Sequence, residues 1–361
     1  MKITINTKEF KNGLKKIEKG LATKATMPII KGILIKATDT ITLVSNNLEI
    51  GISTTVEGDV IKEGCVVIPG SDLIKYINKV TTTDVTLTVD ENYHTEIKSR
   101  GKYKISGYNP DEFPSKKMIT ETSTTVSQGM LKEALDKVDY AVSNDNTQPM
   151  LTAVKLFIED GSLGSVATNT YRLSLFNDLL SEEEAKNGNH ILIPSIAADT
   201  LTRLLGNGDV TITYDKSHIE FVFDNITLQS RLIDGQKYPN YKQILVNDFV
   251  TELIVDKLQL QNAVEIAKQC NESSIVRLEI EGEKMTIAGY GDKQEYIEDV
   301  DIEKDGEDLG VNLDGNYVLD YLKSANSETV MVRSAGSLKQ WVFTESNDDL
   351  AQCIIMPVIQ P

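Results

Sequence analysis

The sequence predicts an α+β protein made of three repeated, β-rich domains with two helices each. Three observations lead to this prediction. The chain has 361 residues, which exceeds what one hydrophobic core usually supports. An apolar stripe typical of an amphipathic helix recurs at intervals of about 120 residues, and alternating apolar and polar segments typical of strands fill the sequence between the helices. We place the domains at residues 1–120, 121–246 and 247–361.

The first helix of each repeat follows a short alternating strand. Phe10, Leu14, Ile17 and Leu21 fall at i, i+4, i+7 and i+11, which places them on one face of a helix. The same spacing returns later in the chain at Leu131, Leu135, Val138 and Val142, and again at Leu260, Val264 and Ala267.

The second helix of each repeat follows an apolar strand. Two of these strands end in proline, at Pro69 and Pro194, which suits a strand-to-helix junction because the missing N–H is not needed there. The apolar positions of the three helices are Leu73, Ile77 and Val80, then Ala197, Leu201 and Leu204, then Val318, Leu322 and Ala325.

Charge divides the chain into two parts. The 37 basic and 54 acidic residues give a net charge of −17, which alone argues against a nucleic-acid partner. Residues 1–120 nevertheless contain 18 basic and 14 acidic side chains, whereas the rest contains 19 and 40. Basic residues on the predicted helices could hold phosphate groups without reading sequence, although ordinary exposed lysines explain the spacing equally well.

Several classes of function find no support. No apolar run approaches the roughly 20 residues of a membrane span, and Met1 to Ile5 resembles a strand rather than a signal peptide, so we expect a cytoplasmic protein without a membrane partner. Cys65, Cys270 and Cys353 are too far apart for a metal knuckle and are interpreted as small core residues. His94, His190 and His218 form no zinc-site or catalytic spacing, and no phosphate-binding loop is present, so we expect neither metal nor cofactor.

Taken together, several segments resemble those of the bacterial sliding clamps, the beta subunits of DNA polymerase III. Residues 22–30 are similar to the loop after the family's first helix, and 46–49 to its TDLE turn. Residues 166–173 resemble the VATDGHRL segment, with Thr170 where the family usually has glycine. The segments 232–241, 317–320 and 354–358 complete the match, which runs from Met1 to the C-terminus.

The resemblance implies three clamp domains per chain and a head-to-tail homodimer that forms a six-domain ring around double-stranded DNA. Such a ring is not an enzyme: it tethers the polymerase to its template and so raises the effective concentration of polymerase. The implied partners are duplex DNA, a second copy of the chain, the replicative polymerase alpha subunit, the clamp loader and repair polymerases. The protein partners would dock through short linear peptides.

The resemblance also assigns two sets of residues. The peptide pocket between the second and third domains would consist of Leu151, Thr168, Thr170, Tyr171, Arg172, Leu173, Pro239, Ile244, Asn312, Tyr317, Leu338, Ile354, Ile355, Met356, Pro357 and Val358. The DNA-facing set would consist of Lys11, Lys15, Lys19, Lys24, Lys75, Lys79, Lys132, Lys137 and Arg203.

Two alternatives stay open. The acidic runs 182–184 and 303–308 would suit a metal-dependent nuclease or transferase component if they converged on a metal, although solvated loops explain them better. A monomeric, clamp-like protein that binds peptides without closing a ring is the other, because no interface motif is recognisable at the ends of the first and third domains.

Overall fold

The computed structural model describes residues 1–24, 26–114, 116–119, 122–159, 162–177, 191–234 and 237–359. Contacts between residues divide the chain into two compact units, which are described separately. The first unit comprises Met1–Gly129 and Arg203–Leu232, and the second comprises Met130–Thr202 and Ile233–Pro361. The helices of the described residues are too short or too polar to cross a bilayer.

Each predicted repeat contains two α-helices within the described residues. They are α1 (Thr7–Ile17), α2 (Gly70–Lys79), α3 (Gln128–Asp136), α4 (Ser195–Leu204), α5 (Lys257–Ala267) and α6 (Gly315–Ser324). The apolar positions within the helices are buried as predicted, and Phe10, Leu131 and Leu260 have no exposed surface. The predicted stripes are longer than the helices, because Leu21, Val138 and Val142 lie beyond the ends of α1 and α3. Side-chain oxygens of Asn6 and Asp256 accept hydrogen bonds from the first turns of α1 and α5, which satisfies backbone donors that a helix leaves free.

The strand pairs of the described residues are all antiparallel. The first third contains β1 (Lys2–Asn6), β2 (Gly32–Ala37), β3 (Ile41–Asn46), β4 (Ile50–Val56), β5 (Gly58–Lys62), β6 (Gly64–Pro69), β7 (Asp84–Val89), β8 (His94–Lys98) and β9 (Lys102–Ser106). The middle third contains β10 (Thr122–Ser127), β11 (Ala153–Glu159), β12 (Ser162–Thr168), β13 (Arg172–Phe176), β14 (Ile191–Pro194), β15 (Asp209–Tyr214), β16 (His218–Phe223) and β17 (Ile226–Arg231). The last third contains β18 (Thr251–Asp256), β19 (Ile275–Glu281), β20 (Lys284–Tyr290), β21 (Glu295–Gly306), β22 (Leu309–Asp314), β23 (Thr329–Ser334), β24 (Trp341–Glu345) and β25 (Asp348–Ile355).

The first unit contains a five-stranded sheet in the order β5-β1-β7-β8-β9 and an eight-stranded sheet in the order β10-β15-β16-β17-β4-β3-β2-β6. The second sheet joins strands from different repeats, because β17 pairs with β4. Helix α1 packs on β3 and β4 and contacts α2. The buried residues of α1 and the inward residues of these strands, such as Leu43 and Ile52, form the core.

The second unit contains a twelve-stranded sheet in the order β14-β11-β12-β13-β25-β24-β23-β18-β21-β20-β19-β22. It again joins two repeats, because β13 pairs with β25. Helices α5 and α6 cover a core that includes Trp341 and Phe343. Since strands of the middle repeat are shared between the two units, the boundaries at residues 120 and 246 stay a prediction.

The cysteine prediction is wrong for Cys65. Cys353 is buried, but Cys270 is half-buried and Cys65 is exposed at the start of β6. All three are free thiols. The buried run of β6 begins one residue later, at Val66, so Cys65 lies just outside it.

Candidate functional site

The candidate pocket of the second unit is built around a tight turn between β12 and β13. The Thr168 hydroxyl accepts from the Thr170 N–H at 3.1 Å, and the Asn169 side-chain oxygen accepts from the N–H groups of Tyr171 and Arg172 at 3.1 and 2.9 Å. Thr170 has a φ of +79°, a region that β-branched residues rarely adopt. The turn therefore leaves Tyr171 on the surface, where it is 65% exposed.

Arg172 lies beneath this surface and is only 8% exposed. Its Nη1 donates to Oδ2 of Asp320 at 2.6 Å, and Nη2 donates to the Tyr140 carbonyl. The guanidinium carbon lies 4.4 Å from the centre of the Tyr317 ring, a cation–π distance. Because its charge is compensated by Asp320, Arg172 acts mainly as a support that fixes Tyr317.

Tyr317 is also held from the turn. Its hydroxyl accepts from Nδ2 of Asn169 at 3.1 Å, so the ring is fixed between an amide and a guanidinium. Asn169 and Asp320 were absent from the sequence-based pocket set. Their positions in the 166–173 and 317–320 segments were the available signal, but the contact between these segments spans 148 residues and no local pattern predicts it.

The paired strands β13 and β25 distribute the predicted residues over two faces of the sheet. Leu173 is opposite Ile354, and Arg172 is opposite Ile355. Leu173 and Ile354 belong to a cluster against which Ile244 packs, whereas Ile355 belongs to a second cluster, with Tyr317 packed against it. Since successive side chains of a strand point to opposite faces, the pocket residues meet at the ends of the strands and not on one flat face.

The segment after β25 continues across this end of the sheet. The Met356 N–H donates to the Tyr171 carbonyl at 2.9 Å, and the Val358 N–H donates to the Asn312 carbonyl at 2.8 Å. Asn312 thus lies beside the C-terminal segment through its backbone. Met356 is 37% exposed next to Tyr171, which places a flexible thioether and an aromatic ring together on the surface.

The segment around Pro239 covers the other side of the sheet. Tyr238 and Tyr241 are buried in the same cluster as Leu173, and Nζ of Lys155 lies 5.5 and 5.6 Å from the centres of their rings. Pro239 itself is exposed between them.

The sixteen predicted pocket residues separate by exposure. The buried members are Leu151, Thr168, Arg172, Leu173, Ile354 and Ile355. The half-buried members are Ile244, Asn312, Tyr317, Pro357 and Val358. The exposed members are Thr170, Tyr171, Pro239, Leu338 and Met356. Leu338 is 73% exposed and is linked to the others through Gln340, whose side chain donates to the Ile244 carbonyl at 3.4 Å.

Most of the predicted DNA-facing side chains are exposed. They are Lys15, Lys19, Lys24, Lys75, Lys79, Lys132 and Arg203. Lys11 is half-buried, and its Nζ donates to the Val80 carbonyl at 2.7 Å, at the C-terminal end of α2. A cation is favourable there because the carbonyls at the end of a helix carry partial negative charge.

The prediction for Lys137 is wrong. Its side chain is 7% exposed and forms a buried ion pair with Glu345, and its Nζ also donates to the Ser324 carbonyl at 2.9 Å. Burial would raise the pKa of Glu345, but the hydrogen bond from Lys137, together with those from the Asn326 and Ser327 N–H groups, lowers it overall. Lys137 is therefore structural, because it follows the end of α3 and turns toward the core.

A half-buried carboxyl group, that of Asp139, lies three residues after the end of α3. Burial raises the pKa of Asp139 to about 7, and the carboxylates of Asp199 and Asp136 add to the effect. Near neutral pH this carboxyl is consequently protonated in a large fraction of molecules.

The alternative metal site has no cluster in the described ranges, where no three His, Cys, Asp or Glu side chains converge to hold an ion. Of the acidic runs, Lys304 pairs with Asp308 in the second, and residues 182–184 lie outside the described residues, as does His190. His94 is exposed beside Asp90, and His218 is buried in β16.

Three family models match consecutive parts of the chain. They describe the N-terminal, central and C-terminal domains of the DNA polymerase III beta subunit and match residues 1–118, 125–240 and 242–359. The beta sliding clamp of Staphylococcus epidermidis is 27% identical over 378 aligned positions, which cover 99% of each chain. The crystal structure of the DNA polymerase sliding clamp from Bacillus subtilis has a TM-score of 0.92 at 24% identity and covers all of both chains. A griselimycin-bound sliding clamp from Pseudomonas aeruginosa has a TM-score of 0.91 at 21% identity, again over 100% of each chain.

Proposed function

The chain belongs to the DNA polymerase III beta subunit family, and from this premise we propose that two copies close into a ring around duplex DNA and tether polymerases to it. The observation that carries the proposal is the run of three consecutive family matches from residue 1 to residue 359. The family is a non-catalytic processivity subunit, so the contribution to replication is effective concentration, not bond chemistry. Acting on the chromosome would place the protein in the bacterial cytoplasm.

Two strand pairings between repeats within the chain follow the same pattern, and they support ring closure. Each of these pairings is called a joint. In each joint, the last strand of one repeat pairs with an earlier strand of the preceding repeat, as in β4–β17 and β13–β25. The corresponding strand of the third repeat is β21. Its segment from Glu295 to Asp301 pairs only with β20 among the described residues, since β18 covers β21 from Ile302 onward.

The last strand of the first repeat is β9, which pairs only with β8 among the described residues. We propose that β9 of one protomer adds to the open half of β21 in its partner. The register of β4–β17 carried over to this pair places Lys104 opposite Glu295 and Tyr103 opposite Tyr296. An opposite-charge pair across strands favours this register, and exposed edges otherwise invite unwanted pairing.

The DNA-facing proposal concerns the exposed cations of the helices. Lys137 leaves the set because of its buried ion pair, and the exposed members remain in it. These exposed members are Lys15, Lys19, Lys24, Lys75, Lys79, Lys132 and Arg203. Contacts from flexible lysines to phosphate carry no sequence information and are screened by salt. This chemistry suits a ring that holds a duplex loosely and slides along it.

The peptide proposal concerns the surface around Tyr171 and Met356. Apolar anchors of a partner peptide would pack on Met356, Leu338 and Pro239, and the supported ring of Tyr317 would limit where the peptide backbone lies. The griselimycin-bound sliding clamps from Pseudomonas aeruginosa and Bartonella birtlesii support the proposal that this fold offers such a site. We propose that the clients are the replicative polymerase, the clamp loader and repair polymerases.

Met356→Ala tests the pocket with griselimycin as the probe. Removing a half-exposed anchor from a hot spot should weaken binding about tenfold or more in isothermal titration calorimetry. Met130→Ala is the matched control, because Met130 is also 37% exposed but lies in α3. Equal affinity of the Met356 variant and the wild-type chain would contradict the pocket assignment. Arg172→Ala is less suitable because it would leave Asp320 without its partner.

A further inference from the structure

The turn between β12 and β13 belongs to the candidate pocket of the second unit, which is called the first site from here on. This turn has a counterpart in the first unit. The Asn46 side-chain oxygen accepts from the Leu48 N–H at 2.8 Å, and that of Asn47 accepts from the N–H groups of Glu49 and Ile50 at 3.0 and 2.8 Å. The residues 122 positions later make the same three bonds in the first site. Leu48 has a φ of +75°, and its counterpart has +79°. The internal repeat therefore reproduces the whole turn.

The strand joint beside this turn is reproduced as well. Arg231 is the last residue of β17, and its N–H donates to the Glu49 carbonyl at 3.0 Å. In the first site the Met356 N–H follows β25 and donates to the Tyr171 carbonyl at 2.9 Å. Arg231 thus stands where the first site has Met356, and Glu49 stands where it has Tyr171. The two sites therefore share a backbone geometry, but charged side chains in the first unit replace the methionine and tyrosine of the first site.

A cavity of about 320 Å³ opens at this place in the first unit. Its volume falls in the range of small-ligand sites. The residues that determine its chemistry are Asn46, Leu48, Glu49, Lys117, His218 and Arg231.

On the side of Lys117, the cavity wall is held by a reciprocal pair of hydrogen bonds. The Lys117 N–H donates to the Gln229 side-chain oxygen at 3.1 Å, and the Gln229 amide donates back to the Lys117 carbonyl at 2.8 Å. This closed pair fixes the segment after Pro114 onto β17. The neighbouring Lys116 is already neutralised by Glu220 at 2.5 Å.

The charges of the cavity favour an anionic group. Lys117 and Arg231 are exposed, and neither forms an ion pair with another described residue. Glu49 is the single carboxylate among the lining residues. Burial lowers the pKa of His218, and the positive charges of Lys117 and Arg231 lower it further against the opposite effect of Asp215. Lys117 and Arg231 thus give this cavity two exposed cations in a chain whose net charge is −17.

Its remaining lining is apolar. Leu48 is 47% exposed beside the buried Ile50, and Pro114 also lines the cavity. We propose that this cavity is a second peptide site, related to the first by the internal repeat, that takes a short linear segment in which a carboxylate side chain adjoins an aliphatic one. The carboxylate would lie between Lys117 and Arg231, and the aliphatic side chain would pack on Leu48. The inference uses the proposed peptide role of the first site, and the experiment separates the two.

The test is fluorescence anisotropy of the full chain with a labelled hexapeptide, Gly-Asp-Leu-Glu-Leu-Gly. We expect saturable binding that weakens about tenfold or more when Lys117→Gln and Arg231→Gln are combined, because both cations are lost. Lys36→Gln combined with Lys62→Gln is the matched control, since it removes two exposed strand lysines of the same unit. This control should bind as the wild-type chain does. The uncharged analogue Gly-Asn-Leu-Gln-Leu-Gly should bind weakly to the wild-type chain. Its affinity should match that of the acidic peptide for the double variant.

Griselimycin identifies which site the probe occupies. An excess of griselimycin should leave the acidic peptide bound, and the Lys117 and Arg231 double variant should bind griselimycin normally. Displacement of the acidic peptide by griselimycin would assign it to the first site and overturn the inference. No binding up to about 1 mM, or equal affinity of wild type and double variant, would also overturn it. If the wild-type chain does not bind griselimycin, this result would instead refute the first site.

Discussion

Thr170 has a backbone conformation that favours glycine. The left-handed region costs a β-branched residue roughly 1–2 kcal/mol more than glycine, yet the bonds that define this turn come from Thr168 and Asn169. The sequence already showed threonine where the family usually has glycine, and the φ of +79° gives the physical reason for the family's preference. Sequence reasoning could identify the departure but not its geometry.

Thr170→Gly should stabilise the second unit by about 1 kcal/mol, because relief of the unfavourable φ exceeds the entropy that glycine loses on folding. Urea unfolding followed by circular dichroism measures the change. Thr38→Gly is the control at an exposed turn residue whose φ is not positive, and it should destabilise the chain. Equal effects of the two substitutions would refute the strain at Thr170.

The buried pair of Lys137 and Glu345 has a predictable pH dependence. Glu345→Gln leaves a buried ammonium without its counter-charge and should lower the free energy of unfolding by about 3 kcal/mol at pH 7. The pKa of Glu345 is lowered in the folded chain from 4.5, so the wild-type advantage is present above that value. It should be lost as the pH falls through the folded pKa.

Urea unfolding of both chains between pH 7 and pH 3 measures this difference. Glu279→Gln is the control, because its pair with Arg277 is 3.3 Å long and partly exposed on both sides, and exposed pairs contribute about 0–1 kcal/mol. A difference for Glu345→Gln that stays constant with pH would show that the carboxylate charge is not responsible.

At the scale of the element, periodicity predicts the six helices because each apolar stripe must face a core. The same reasoning misplaces Lys137, which lies directly after the end of α3 and whose side chain forms the buried ion pair with Glu345. The strand joints β4–β17 and β13–β25 could not be predicted either. Their partners are more than 170 residues apart, and register depends on which edges remain open in the folded chain.

The open edges of β9 and β21 were missed for a related reason. Alternating lysines in β9 and acidic residues in β21 were visible in the sequence. Only the topology shows that β9, and the half of β21 from Glu295 to Asp301, lack a neighbour on one side among the described residues.

Lys104→Glu and Glu295→Lys test this joint as a charge exchange. Each single change should place like charges opposite each other and weaken the dimer several-fold, while the two changes in one chain should restore it because both joints of the ring regain opposite charges. Sedimentation velocity over a dilution series measures the dimer dissociation constant. Additive losses in the double variant would contradict the proposed register. Lys36→Glu controls for the change in net charge.

At the scale of the whole molecule, acidic and basic side chains are concentrated in different parts of the chain. The acidic excess lies after residue 120, while the first third supplies exposed lysines on α1 and α2. An acidic chain that presents its cations on helices can repel DNA over most of its surface and still hold it at one place. Composition could predict this partition, but the side chains that remain exposed had to be observed.

The central claim is that two chains close into a ring, and size-exclusion chromatography coupled to small-angle X-ray scattering tests it most directly. The account predicts a particle of twice the chain mass of 40.0 kDa whose distance distribution has the broad, depleted centre of an annulus. A particle with the mass of one chain, or a dimer with a filled centre, would contradict it.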